Sequence, residues 1–280
     1  MTSDLSGGGG PKEPSGLPVG DLLRTGPITV DLAVPASALA IGAHPDDIEF
    51  GCGSTLAKWA AHGCRVHHLV LTDGSKGSWD PEADLNELVR ARQSECRAAV
   101  RVLDGCEFAS ELPDDRISFL ERTDGELENA VDERRAVAQI IRQVRPAVLL
   151  GHDPWRRYRL HPDHRAAGEI TVGALVAARD PHFFPELGLT PHRPDTLLLW
   201  EADQPNHVES AYGYESAKVD ALLCHHSQFE STMGMGADLA QSSSSSARLG
   251  FAAKVRRQLA DHGSLAGLSS AEAFHLMNDL

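Results

Sequence analysis

The chain has 280 residues, 41% of them hydrophobic, which is enough to bury the core of one enzyme-sized domain. Forty acidic residues against 26 basic ones give a formal net charge of −14, which opposes attraction to phosphate backbones and to anionic lipid surfaces. Nucleic acid and membrane are therefore poor partners. The five cysteines, at positions 52, 64, 96, 106 and 224, are odd in number and contain no Cys-x-x-Cys pair, so neither a disulfide framework nor a thiolate zinc site is indicated. The N-terminus lacks the charged start and apolar run of a signal peptide, and no segment approaches the roughly 18 apolar residues of a membrane span. The expected compartment is the cytoplasm.

Residues 1–20 are rich in Gly, Pro and Ser and predict a flexible tail without chemistry, leaving residues 21–280 as a single α/β domain. The apolar run 38–43 predicts a strand, followed by His44-Pro45-Asp46-Asp47 and a helix over 53–61. A second strand covers 65–72, a Gly/Ser loop follows it, and apolar residues at helical spacing predict a helix over 86–103. A helix over 133–144 stops before Pro146, and 147–150 reads as a buried strand. His152 to Arg159 form a loop leading into His161-Pro162-Asp163-His164 and a helix over 165–178. A strand over 196–200, a helix over 215–226, a Ser-rich loop over 241–246 and a helix over 247–262 complete the chain. The alternation of strand and helix predicts a Rossmann-like α/β fold, a mostly parallel sheet flanked by helices, with ligands at the C-terminal edge of the strands.

Both polar clusters follow strands at that edge. A lone His-Pro-Asp string reads equally well as a turn with a capping Asp. Two such strings at one edge point instead to a metal centre, because imidazole nitrogen and carboxylate oxygen are the usual ligands of a catalytic zinc with an open position. Adjacency lets only one of Asp46 and Asp47 coordinate with good geometry, leaving its neighbour as a base. Of His161 and His164, one can reach the ion while the other faces the substrate. Gly51-Cys52-Gly53 lacks the third glycine of a dinucleotide site, and His67 and His68 read as packed or solvated strand residues.

The stretch from Gly42 to Gly53, GAHPDDIEFGCG, resembles the signature of the PIG-L/LmbE-like zinc-dependent N-deacetylases. That family includes N-acetylglucosaminyl-phosphatidylinositol, mycothiol and bacillithiol deacetylases. The likeness continues in Leu71-Thr72-Asp73-Gly74 with Gly77, in Arg92-x-x-Glu95, in His161-Pro162-Asp163-His164 and in His225-His226-Ser227-Gln228, and spans about residues 38–229. The resemblance implies a divalent ion, Zn2+ or alternatively Fe2+, held by His44, Asp47 and His164, with Asp46 as general base. It implies that His161 stabilises the oxyanion and helps to protonate the leaving amine, and that Arg92 and Asp114 hold sugar hydroxyls. In one branch of the family a tyrosine stands two residues before the first histidine of the second motif; here that position is Arg159, with Tyr158 one further back. His225 is left between a place near the site and a role in helix packing.

The expected function is a metal-dependent hydrolase that removes an N-acetyl or other N-acyl group from a small molecule containing an amino sugar. Alternatives are an amidase for thiol conjugates, a deacylase that tailors a glycosylated natural product, and a non-catalytic metal- or sugar-binding module. The spare carboxylate beside Asp47 argues against the last, since a closed structural site has no use for it. The loop 152–158 and the segment 182–194 are expected to shape the pocket, and a homo-oligomer is left open.

Overall fold

The computed structural model describes residues 27–105, 116–235 and 245–280. Asp114, the tail 1–20 and residues 241–244 of the Ser-rich loop lie outside the described residues. Strands β1 (Thr29–Val30), β2 (Ser37–Gly42), β3 (Arg65–Thr72), β4 (Ile117–Arg122), β5 (Val148–His152), β6 (Thr196–Trp200), β7 (His207–Ser210) and β8 (Ala271–Met277) form one sheet in the order β1-β7-β8-β6-β5-β2-β3-β4. β8 runs antiparallel to β6 and β7, and all other pairings are parallel. The helices are α1 (Asp47–Ala61), α2 (Leu85–Leu103), α3 (Val131–Val144), α4 (Pro162–Arg179), α5 (Glu215–Leu222) and α6 (Ser245–Ser264).

Successive strand residues point to opposite faces, and here both faces are covered. Leu39 and Ile41 of β2 pack with Val137 and Ile141 of α3 and Ile170 and Ala174 of α4. Ala38 and Ala40 of the same strand pack with Leu56 and Trp59 of α1 and Leu103 of α2 on the other side. That two-sided burial explains why the central strands read as continuous apolar runs. The mostly parallel sheet holds as expected from sequence, but strand and helix do not alternate throughout: β6 is followed by β7 with no helix between them.

The chain steps from β2 outward to β3 and β4 on one side, while β5 and β6 lie on the other. The β2/β5 boundary is therefore a switch point, where a crevice opens beyond the strands' carboxyl ends. Ile41 stands opposite Gly151, so the residues after Gly42 and the end of β5 emerge side by side. α4 starts with Pro162 at its first position, where the missing N–H costs nothing. A Cβ on Gly168 would stand 2.7 Å from the His152 carbonyl oxygen; this close approach brings the second turn of α4 to the end of β5.

One expectation is corrected. The segment 182–194 joins α4 to β6 and lies at the N-terminal edge of the sheet, opposite the polar clusters. His192 Nε2 bonds the Pro146 carbonyl oxygen at 2.7 Å, just ahead of β5, and Arg142 Nη2 donates to the Phe183 carbonyl oxygen at 2.8 Å. A helix that follows one parallel strand must return to the start of the next, so this connection cannot line the crevice.

Candidate active site

His44, Asp46 and Asp47 leave β2 in a tight turn. Asp46 has φ 121°, a left-handed backbone that a non-glycine residue adopts only under strain, and such strain collects at functional sites. Its main-chain oxygen accepts the Phe50 N–H at 3.1 Å as α1 begins. α1 is not continuous: Cys52 breaks it at φ −148°, so the helix predicted over 53–61 is its second part.

Three of the sequence-identified residues converge. His44 Nδ1 lies 3.3 Å from Asp47 Oδ2, His164 Nε2 lies 3.2 Å from Asp47 Oδ1, and the same two ring nitrogens are 3.2 Å apart. Donors around a tetrahedral ion with bonds of about 2.0–2.1 Å stand roughly 3.3 Å apart, so the spacing and the N/O donor set fit a zinc-like cation. Among the described residues, donor atoms also gather in the sets His44/His161/His164, Asp47/His152/His164 and His44/Asp124/Asp163.

The last set explains how His44 is oriented. Its Nε2 faces Asp163 Oδ2 at 3.1 Å and Asp124 Oδ1 at 3.2 Å, which keeps a proton on that nitrogen and turns Nδ1 toward Asp47 and His164. Asp163 is fully buried and also accepts the Gly125 N–H at 2.6 Å; Asp124 Oδ2 accepts the Lys76 N–H at 3.0 Å. Burial opposes charge on His44, but hydrogen bonds to Asp124, Asp163 and Asp47 outweigh it and hold the ring well above its usual pKa. Burial likewise opposes ionisation of Asp47, yet His164 and His152 hold its carboxyl well below the carboxylate range.

Asp46 behaves differently. Burial raises its carboxyl to about 6, Arg92 draws it down, and Asp47 raises it again. Its Oδ2 has no hydrogen-bond partner among the described residues. Two neighbouring carboxylates with pKa values pushed apart is the pattern by which acid and base roles are divided. His161 stands at the N-cap position of α4 without a side-chain capping bond, is exposed, and holds its ring centroid 4.5 Å from that of His44 and 4.8 Å from that of His164. Burial, His44 and His164 lower its pKa, so it is neutral near pH 7.

Arg92 is 3% exposed and donates to the Pro45 carbonyl oxygen at 2.7 Å and the Gly74 carbonyl oxygen at 2.8 Å. It lies behind Asp46, in a place built from backbone. The neighbouring motif residues act as clamps: Glu95 accepts from the Ser227 N–H at 2.9 Å and hydroxyl at 2.6 Å, and Gln228 Nε2 donates to the Gly77 carbonyl oxygen at 3.3 Å. His225 is fully buried with Nε2 3.5 Å from Glu49 Oε1, so it belongs to a buried ion pair beneath Asp46. At the mouth, Arg156, Arg157 and Arg159 tie the loop after β5 to Glu201 and Asp203, while Tyr158 and Leu160 point to solvent.

Sequence reasoning missed Asp124 and His152 and gave no role to Asp163. Asp124 carried one signal: Thr123-Asp124-Gly125 repeats the Thr72-Asp73-Gly74 turn that follows β3. Asp73 Oδ1 accepts the Asp124 N–H at 3.1 Å, which ties the two turns together.

Residues 39–175 match the family described as PIG-L, GlcNAc-PI de-N-acetylase. The chain is 34% identical over 194 residues to the diacetylchitobiose deacetylase of Thermococcus kodakarensis, an alignment covering 68% of this chain and 69% of that protein. It is also 34% identical over 169 residues to the 1D-myo-inositol 2-acetamido-2-deoxy-alpha-D-glucopyranoside deacetylase of Streptomyces scabiei, covering 54% of this chain but only 51% of that one. The solved N,N'-diacetylchitobiose deacetylase of Pyrococcus horikoshii superposes with a TM-score of 0.74 at 25% identity, covering 87% of this chain and 84% of the other. The fold, the two histidine-aspartate turns and these alignments agree, and the chain belongs to the PIG-L family of de-N-acetylases.

Proposed function

We propose that this protein hydrolyses the N-acetyl group of an amino sugar in a small glycoside, using a divalent cation, Zn2+ by preference, held by His44, Asp47 and His164. The observation that carries this reading is the meeting of three donors 3.2–3.3 Å apart beside a fourth, uncommitted carboxylate. When bound there, such a cation supplies Lewis-acid polarisation of the amide carbonyl and acidifies water.

Asp46 is the base. With its carboxyl near 6 it is ionised at neutral pH yet basic enough to take a proton from the attacking water, which is where a general base works best. The C–N bond breaks as the proton passes on to the nitrogen, and acetate and the free amine leave. His161, neutral and at the open side of the cluster, offers an N–H to the oxygen on which charge develops; removal of one such donor costs about 10²–10³ in rate. Relatives named as diacetylchitobiose and inositol-glucosaminide deacetylases support an N-acetylated amino-sugar substrate. No helix among the described residues is long and apolar enough to cross a membrane.

The experiment is acetate release from N-acetylglucosamine glycosides by protein loaded with zinc, by chelated protein, and by the Asp46→Ala and His164→Ala variants. The expected result is turnover by the loaded enzyme alone, zinc retained in Asp46→Ala and lost in His164→Ala. Turnover that survives in Asp46→Ala removes the base assignment, and full zinc occupancy in His164→Ala removes that ligand.

A further inference from the structure

His152 ends β5 with both ring nitrogens engaged. Trp200 Nε1 lies 3.1 Å from Nδ1, and an indole N–H donates but never accepts, so Nδ1 presents its lone pair. The proton of a neutral ring then sits on Nε2, which lies 3.2 Å from Asp47 Oδ2. The opposite tautomer would set an N–H against the indole N–H and a lone pair against a carboxylate oxygen. Its gain would be the Ala43 N–H at 3.4 Å, close to the outer limit of a hydrogen bond, while Glu201 Oε2 at 3.7 Å from Nδ1 is too far to accept. Burial opposes charge on this ring, but Asp47 and Glu201 outweigh it and raise its pKa above the ordinary value; even a doubly protonated ring keeps Nε2–H on Asp47, at the expense of an N–H set against the indole N–H.

We propose that the Trp200 indole fixes His152 as its Nε2–H tautomer and that His152 is thereby a positioning residue for Asp47 and not a ligand. Asp47 Oδ2 then receives two N–H groups, that of His152 and the main-chain N–H of His44 at 2.7 Å. Oδ2 also lies 3.3 Å from His44 Nδ1, but with two N–H groups already on it the lone pairs of Oδ1, which faces His164 Nε2 at 3.2 Å, are the freer ones for an ion. Without the His152 proton only the His44 main-chain N–H still tells the two oxygens apart, and the carboxylate is held less firmly.

The indole is itself held. Trp200 is 1% exposed, and a Cβ at Gly51 would stand 2.5 Å from its ring. Gly51 thus has a reason to be glycine that owes nothing to anion binding: it seats the indole that orients His152, on the same helix whose first residue is Asp47. The tautomer lock stands on the geometry alone, while its effect on an ion rests on Asp47 being a ligand as proposed above.

The test begins with long-range proton–nitrogen NMR of the metal-free protein at alkaline pH, where the ring is neutral and its single proton reports the tautomer. The expected spectrum shows His152 with a bare Nδ1 and a protonated Nε2, and Trp200→Phe, which keeps the ring packing and deletes the N–H, converts it to a mixture of tautomers. In competition with a chromophoric chelator, Trp200→Phe weakens zinc binding about tenfold and His152→Phe by about 10- to 100-fold, the range found for partners of metal ligands. A protonated Nδ1 in the unaltered protein overturns the proposal, as does zinc affinity within about twofold of the parent in a folded Trp200→Phe variant. If Trp200→Phe does not fold, the parent spectrum and His152→Phe decide. Loss of the amino-sugar reading is seen separately, as an absence of acetate release from a protein whose tautomer and zinc affinity behave as expected.

Discussion

Arg92 Nη2 lies 3.6 Å from Asp46 Oδ2, with both side chains more than nine-tenths buried. The guanidinium therefore works on the base from behind, and its effect on Asp46 has a definite sign. Burial lifts the Asp46 carboxyl to about 6 and Arg92 holds it from rising further. Arg92→Met removes the cation, raises the Asp46 pKa and leaves the base protonated at neutral pH. Activity at pH 7 is expected to fall, by about tenfold for each unit that the pKa rises above 7, and to recover as pH is raised, so the acid limb of the kcat/KM profile moves upward. A rise in KM at every pH with an unmoved acid limb would instead mark a contact to sugar hydroxyls.

Arg159 Nη1 lies 2.8 Å from His164 Nδ1, so in this arrangement the His164 proton is on Nε2 and points at Asp47. Binding of a cation at Nε2 requires that proton to move to Nδ1 and the arginine to turn wholly to Glu201, its other partner. The guanidinium also adds a positive charge beside a cation site. Arg159→Met is therefore expected to tighten zinc binding, by about threefold or more for a charge removed at this distance in a partly screened site. Chelator competition measures it; weaker binding would show that Arg159 supports the loaded state.

Much of this site was legible because its chemistry is carried by short strings at strand ends. His44, Asp46, Asp47, His161 and His164 sit in two such strings, and their convergence follows from the sheet-edge rule once β2 and β5 are recognised as apolar runs. β4 was not legible. Ile117–Arg122 lies at the end of the sheet order, with Ile117 its one buried residue and no long apolar run. With it went Asp124, whose Thr-Asp-Gly turn has meaning only as the end of a strand. β8 escaped for another reason: Ala271–Met277 carries two charged or titratable residues among its seven, and Glu272 is buried only because Lys218 and two helix N–H groups meet it. Arg92 shows the limit of a motif, which marks a residue without saying which side of the base it occupies.

His68 makes acid stability testable. It is 2% exposed in the middle of β3, with neither ring nitrogen hydrogen-bonded among the described residues. Burial lowers its pKa from the ordinary 6.5 to about 4, so the folded protein keeps the ring neutral where the unfolded chain would protonate it. The unfolded state thus binds more protons between about pH 6.5 and 4, and stability is lost as pH falls through that window, by about 3 kcal/mol in all if the lowered pKa is fully expressed. His68→Leu removes this loss while leaving the carboxylates that titrate nearby. The difference in unfolding free energy between pH 7 and pH 4.5 should be smaller in the variant, and an equal difference in both proteins would show that the ring does not stay neutral.

The break in α1 supplies the last prediction. At Cys52 the helix interrupts its own hydrogen bonding, and the freed N–H groups of Ser54 and Thr55 are taken by the Glu272 carboxylate at 3.0 and 2.8 Å. Lys218 Nζ answers that charge at 2.6 Å and bonds the Phe50 carbonyl oxygen, also at 2.6 Å, so one ammonium closes both sides of the break. Both side chains of the pair are almost fully buried. Removing one partner of such a pair strands the other charge, so Lys218→Met is expected to cost about 3–5 kcal/mol in urea unfolding. Adding Glu272→Gln should return part of that loss, because the amide oxygen still accepts from α1 and carries no charge to strand. A double variant less stable than Lys218→Met alone would mean that Glu272 matters as a helix cap more than as a counter-charge. Either result bears on the site, since the segment of α1 ahead of the break is the one that presents Asp47.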